Sequence, residues 1–243
     1  MSVCLTCKQP IDGEPVVNKY KGTPVLLHPS CWREIQDRHA ANIDFAKARV
    51  EGLLSSLPAF SVPISSPDFA LRVKSERLRN FAKRYQPDSH GSVVLLGGTG
   101  AGKSTAAAAA VLRLSSEAVD DFTKSGAHST ELLGFASRIV WVTAAALCVA
   151  RKQHRLGEGE APVIKRAESA TLLVLDEVGQ ELAEPAWLLE LIDTRYARGL
   201  PVISTSGLKR AEIEARYGSG STRRLIEPRG HFIDLFESSK GPA

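Results

Sequence analysis

The run Gly97, Gly98, Thr99, Gly100, Ala101, Gly102, Lys103 and Ser104 fits G-x-x-x-x-G-K-[ST] without a mismatch. Chemistry of this kind grips phosphate. Glycines let the backbone curl tightly and bring several N–H groups against phosphate oxygens, and the helix that follows adds its positive N-terminal end. Lys103 is expected to reach the β- and γ-phosphates of ATP, Ser104 to hold Mg²⁺, and Thr105 to complete the set of nucleotide contacts. Further along, 171–177 reads as a buried parallel strand that delivers Asp176 and Glu177 at its C-terminal end, where α/β sheets bind ligands. Asp176 is expected on Mg²⁺ through water. Glu177 is expected to polarise the attacking water, which requires only reach and ionisation.

A second group of chemistry-bearing residues lies near the start. Cys4-x-x-Cys7 and His28-x-x-Cys31, separated by twenty residues, offer four ligands in two pairs. The pattern resembles half of a LIM-like or treble-clef zinc finger, which implies a closed, structural Zn²⁺ site. The alternative is metal-free, with cysteines paired in a disulfide or merely buried. His39 is a substitute ligand, and Cys148, within the apolar stretch 144–151, reads as core.

The elements that must position these groups can be read in outline. Residues 1–31 are rich in turn formers, whereas 32–57 carries Ile35, His39, Ile43, Ala46, Val50 and Leu53/Leu54 at helical spacing. Together, 1–57 is expected to form a zinc module with a helix. Prolines and serines make 58–74 a linker across which few contacts are expected. From 75 to 243 one α/β domain follows. Ser75 suits the N-cap of a helix burying Leu78, Phe81, Ala82 and Tyr85, closed by Pro87 and Gly91. Short β-rich runs at 93–96, 139–143, 172–175 and 202–205, with a fifth at 231–235, alternate with helical stretches such as 103–114. That order implies a parallel five-stranded sheet between helices. The polar stretch 120–137 reads as an insertion or long loop.

Composition agrees with a globular chain: 243 residues, 43% hydrophobic and 24% charged. No run of about 18 apolar residues is present, so no membrane span is expected. The start lacks a secretory pattern and the cysteine spacing suits a reducing compartment, so a cytoplasmic location is expected. The net charge of +4 permits nucleic-acid contact without requiring it. Basic residues gather at Arg72, Lys74, Arg77, Arg79, Lys83 and Arg84, and again at Arg210, Arg216, Arg223, Arg224 and Arg229. Each cluster reads equally as a phosphate contact or a solvated surface.

The Asp176-Glu177 pair, with the hydroxyl-tipped run at 202–206, resembles P-loop NTPases of the AAA+ class. There, a polar residue on the strand beside the carboxylate strand senses the γ-phosphate. Thr205 matches that position, with Ser206 next to it. The series 175–179, 191–196, 201–208, Tyr217-Gly218 and 223–226 further resembles the DnaC-type helicase loaders and the IstB-type transposition helpers across 75–236. The resemblance implies ATP hydrolysis, no C-terminal lid domain, and a site shared between copies in a homo-oligomer. In it, an arginine of one copy stabilises transition-state charge in its neighbour. Arg224 matches that arginine, although Arg223 stands where the family has an acid, which leaves the choice between them open. Arg195 also matches a family arginine, either as a structural ion pair or as a subunit contact.

Three functions are compatible with these residues. The first is an ATP-dependent loader delivering a replicative DnaB-like helicase to single-stranded DNA, with 1–57 doing the docking. The second is an IstB-like ATPase helping a transposase on duplex DNA, and the third a nucleotide-binding zinc adaptor without significant turnover. With 6% aromatics, DNA contact is expected to rest on backbone charge and to weaken steeply with salt.

Overall fold

In the computed structural model, which describes residues 3–20, 23–125, 135, 138–154, 159–181, 186–227 and 229–236, the chain opens with an antiparallel hairpin. Its strands are β1 (Val16–Tyr20) and β2 (Thr23–Leu27), a pairing that the turn-rich composition of 1–31 does not announce. Helix α1 (Pro29–Ser56) starts with Pro29, whose fixed φ suits the first helical position. It stops at Leu57, which precedes Pro58 and is extended, as a residue before proline prefers.

Three short helices follow. Ser66 caps α2 (Pro67–Arg72) by accepting from the Asp68 N–H, and Ser75 caps α3 (Glu76–Arg84) by accepting from Leu78. The latter helix buries Leu78, Phe81 and Ala82, with Tyr85 just beyond, as the spacing predicts. Gly91, at φ +61, ends α4 (Pro87–His90).

The remaining elements alternate: β3 (Val93–Leu96), α5 (Lys103–Ser125), β4 (Ile139–Thr143), α6 (Ala144–Gln153), α7 (Pro162–Ser169), β5 (Leu172–Val178), α8 (Ala186–Ala197), β6 (Val202–Ser206), α9 (Arg210–Tyr217), α10 (Ser219–Arg224) and β7 (His231–Asp234). Strands β4, β5, β6, β3 and β7 lie in that order and are all parallel. Successive side chains of a strand point to opposite faces. Thus Val93, Leu95, Leu172 and Val174 join one apolar cluster with α3 and α5, while Val94, Leu96, Leu173 and Leu175 join another with α7, α8 and α9. The wholly buried run from Ala106 to Ala110 lets α5 lie close to the sheet.

Two expectations need revision. The segment 58–74 is no bare linker, because Phe69 and Val73 are buried in the α3/α5 cluster and Val62 and Ile64 pack against it. Leu53 and Leu57 at the end of α1 join the same cluster, so apolar packing runs unbroken from α1 into the sheet domain. Second, α5 continues to Ser125, so the stretch expected as a loop begins as helix; 126–134 and 136–137 lie outside the described residues. Among the described residues no helix is long and apolar enough to cross a membrane.

Candidate nucleotide site

The loop 97–104 leaves the C-terminal end of β3 and enters α5. Its glycines are not interchangeable with other residues. Gly102 has φ +86, and a Cβ there would lie 2.6 Å from the Arg72 carbonyl oxygen and 3.1 Å from the Val73 Cα. Gly98, Thr99 and Gly100 are exposed at the tip, Ala101 is half-buried, and Gly97 and Thr105 are buried. Lys103 is buried and folded back on its own loop, donating to the carbonyls of Gly97 at 2.6 Å and Gly98 at 2.9 Å. Burial pushes its ammonium below the ordinary lysine value, and the negative charges of Asp176 and Glu177 oppose that shift.

The carboxylate strand is interrupted where the chemistry sits. Leu175 pairs with Ser204 and Val178 with Ser206, so Asp176 and Glu177 together face the single residue Thr205 in a β-bulge. Glu177 adopts φ +58, a left-handed conformation that costs a non-glycine residue roughly 1–2 kcal/mol. The bulge leaves Glu177 exposed between buried Asp176 and buried Val178. Thr205 fastens it: its hydroxyl accepts from the Glu177 N–H at 3.0 Å and donates to Asp176 Oδ1 at 2.5 Å. The same Oδ1 accepts from the Ser104 hydroxyl at 2.7 Å. Ser206, the neighbouring hydroxyl, is occupied by backbone, donating to the Val178 carbonyl and accepting from the Leu208 N–H. Ser104 and Asp176 form an all-oxygen pair at the loop mouth, the donor type a magnesium ion takes.

A cleft of about 380 Å³ opens beside Gly100, Gly102 and Lys103, and its far wall is Phe60, Leu71, Arg72 and Lys74. Arg72 and Lys74 belong to the first basic cluster, whereas Phe60 and Leu71 have no site role in the sequence pattern. Their signal was two large apolar side chains in a stretch otherwise read as linker, and Leu71 is 72% exposed although it flanks this cleft.

The arginines sort differently from expectation. Arg224 donates to both carboxylate oxygens of Asp193, at 3.0 and 3.2 Å. It lines a cleft of about 370 Å³ with Ser92, Pro201 and Val202, where β3 and β6 begin. That is the edge of the parallel sheet opposite the loop 97–104, so Arg224 does not meet its own chain's nucleotide site. Arg223 pairs with Glu227 at 3.3 Å. Among the described residues Arg195 makes no ion pair, and it has no exposed surface. It donates to the carbonyls of Ala167, Ala170 and Pro201 at 2.7, 2.9 and 2.8 Å. Burial lowers its pKa to about 10. The second basic cluster is likewise engaged within the chain: Arg210 with Glu214, Arg216 with Glu181, and Arg229 with the Asp88 carbonyl.

At the N-terminus the ligating atoms of Cys4, Cys7 and Cys31 lie within 4.8 Å of one another. The ring of His28 is not among them, so three of the four expected ligands gather and the fourth stands apart. His28 sits at the N-cap of α1 with Nε2 2.8 Å from the Pro10 carbonyl, so that nitrogen donates outward. Its contribution is the backbone N–H, which reaches Cys4 Sγ at 3.3 Å. Burial opposes ionisation of Cys4, but the N–H groups of Cys7, His28 and Thr6 outweigh it and bring the thiol down to about 6. Burial, then the Cys7 and Cys4 sulfurs, push Cys31 up to about 11. Three thiols supply three of the four ligands of a tetrahedral zinc site. His39 stands outside the group, and Cys148 is buried on α6.

The strand that carries the phosphate loop is separated from the carboxylate strand by one ending in hydroxyls, all parallel between two helix layers. This is a layered α/β fold in which the phosphate-loop motif joins β3 to α5. Solved structures similar to the chain include a protein described as a primosome component from Streptococcus pyogenes serotype M3, at 16% identity over 74% of this chain and 90% of that one, TM-score 0.46. The DnaC helicase loader is similar at 17% identity over 70% and 99%, TM-score 0.45, and DnaI at 15% over 68% and 79%, TM-score 0.42. No family model matches the chain, and no curated protein matches it in sequence.

Proposed function

We propose that the chain binds ATP with Mg²⁺ at 97–105, hydrolyses it, and uses the cycle to load a replicative DnaB-like helicase onto single-stranded DNA. The observation that carries the nucleotide chemistry is the convergence of Ser104 and Thr205 on Asp176, with Glu177 turned outward on a clamped bulge. Lys103 exchanges the Gly97 and Gly98 carbonyls for β- and γ-phosphate oxygens, and Phe60 and Leu71 flank the nucleoside. Ser104 and Asp176 hold the magnesium ion, which when bound neutralises charge as the γ-phosphate leaves. Glu177 orients the attacking water and draws off its proton. Thr205 holds both carboxylate residues in register with the γ-phosphate.

Arg224 acts in a neighbouring copy, leaving Asp193 for the phosphates bound there, so that ATP stabilises a homo-oligomer and hydrolysis releases it. The three thiols bind zinc, and the module they close, with α1, docks the helicase. Support for the loader reading is the motif series across 75–236 together with the position of Arg224 on the edge remote from its own nucleotide.

The test is phosphate release and equilibrium ATP binding by the purified chain, alone and with single-stranded DNA and a replicative helicase. Slow release by the chain alone, faster release with both partners, and loss of ATP binding in Lys103→Ala are expected. ATP binding retained by Lys103→Ala sinks the site, and intact turnover with no effect of helicase or DNA sinks the loader role.

A further inference from the structure

Four residues beyond Glu177 the chain turns a carboxylate back on itself. The Glu181 side chain has no exposed surface, and its Oε2 accepts from the Gly179 N–H at 2.9 Å. Its Oε1 accepts from Arg216 Nε at 3.0 Å and from the Tyr217 hydroxyl, and the Arg216 guanidinium also donates to the Glu181 carbonyl at 2.7 Å. Burying a carboxylate is costly unless donors surround it, and an apolar side chain fills such a space without that cost. What the carboxylate adds is a direct hold on the backbone beside Glu177.

The intervening residues transmit that hold. The Gln180 N–H donates to the Glu177 carbonyl at 3.1 Å, closing a tight turn over Glu177, Val178, Gly179 and Gln180. Gly179 takes φ +100, a conformation that side chains rarely adopt, and a Cβ there would also press within 2.6 Å of a Leu208 methyl, so glycine suits the turn. Ser206 receives the N–H of Leu208 and donates to the Val178 carbonyl. Thr205 grips Glu177 from its N–H side, and the turn held by Glu181 grips it from its carbonyl side. A left-handed glutamate persists only where its surroundings over-determine it.

We infer that Glu181, anchored by Arg216 and Tyr217 of α9, is a positioning residue that sets where the Glu177 carboxylate points. This rests on the proposed role of Glu177 in hydrolysis. It also ties the site to α10, which begins two residues after Tyr217 and carries Arg224.

The experiment measures phosphate release per bound nucleotide, with KM and the ATP dissociation constant taken on the same preparations, for the wild-type chain and for Glu181→Gln, Arg216→Ala, Arg216→Lys and Tyr217→Phe. Glu181→Gln and Arg216→Ala are expected to lower kcat per occupied site by about 10- to 100-fold, with KM and affinity within twofold. Arg216→Lys is expected to recover part of that loss, and Tyr217→Phe, which removes one hydroxyl and keeps the ring, to lose less than Glu181→Gln. Unchanged kcat per occupied site in Glu181→Gln and Arg216→Ala overturns the inference. So does a loss that tracks only the fraction of protein still able to bind nucleotide, because the network then serves folding alone. A wild-type chain that binds ATP but releases no phosphate defeats the proposed function and this inference together, a result distinct from failure confined to the variants.

Discussion

The nucleotide edge and the cysteine cluster each gather polar groups from distant parts of the sequence, but they are held together by different means. At the nucleotide edge, Lys103 and Ser104 open the helix after β3 while Asp176 and Thr205 sit on β5 and β6; Leu95, Leu96, Leu175 and Ile203 of these three strands are almost completely buried. Hydrophobic burial on both sheet faces fixes them before any ligand arrives. Around the thiols, by contrast, Cys4 and Leu27 are the only buried apolar residues described between 3 and 31. An isolated two-stranded hairpin is marginal in water, so the zinc proposed for its sulfurs would carry much of this module's stability.

Metal removal tests that difference with the largest expected effect. Structural zinc sites contribute about 10–16 kcal/mol of apparent binding free energy, and most of it is folding free energy of the module. A strong chelator, or Cys31→Ser, should release the metal and abolish amide-exchange protection in 16–27, while protection of 93–96 and the ATP dissociation constant stay within twofold of their starting values. If the hairpin stays protected without metal, or if ATP affinity falls in step with metal content, the two regions are not held as differently as argued.

Arg195 sharpens the comparison from the other side, since it is a polar staple inside the sheet domain that needs no ligand. Its guanidinium caps carbonyls at the end of α7 and reaches the carbonyl just before β6. A cation at a helix C-terminus is favourable, and removing this one strands several buried acceptors. Arg195→Met should cost about 3 kcal/mol, read as a lower urea midpoint with an unchanged slope. Loss of less than about 1 kcal/mol would mean that apolar packing alone holds this part of the domain.

Legibility in the sequence followed the range of the interactions involved. The phosphate loop, the strand ending in Asp176 and Glu177, and the five apolar runs are local patterns, and the fold follows from them. The bulge was invisible because it arises from pairing two residues against Thr205, 28 positions away. Phe60 and Leu71 read as linker because their partner, the loop at Gly100 and Gly102, is defined only once α2 is in place. His28 had ligand spacing, yet its ring follows the Pro10 carbonyl, a contact that no spacing rule encodes. The second basic cluster read equally as a phosphate contact or a solvated surface because two of the acids that meet it, Glu181 and Asp193, belong to other elements.

The smallest effect isolates a single backbone torsion. If the nucleotide edge is assembled in advance, part of its cost should be stored in the left-handed Glu177. Glu177→Ala removes the carboxylate and keeps the unfavourable φ, whereas Glu177→Gly removes both. Relief of the left-handed conformation is worth roughly 1–2 kcal/mol, and the greater freedom of glycine in the unfolded chain takes back roughly 0.5–1 kcal/mol. Glu177→Gly should therefore be more stable than Glu177→Ala by about 0.5–1 kcal/mol, with hydrolysis lost in both and ATP binding kept in both. Equal denaturation midpoints would mean that the bonds from Thr205 and the following turn do not hold Glu177 against strain, and the edge would then be relaxed rather than pre-set.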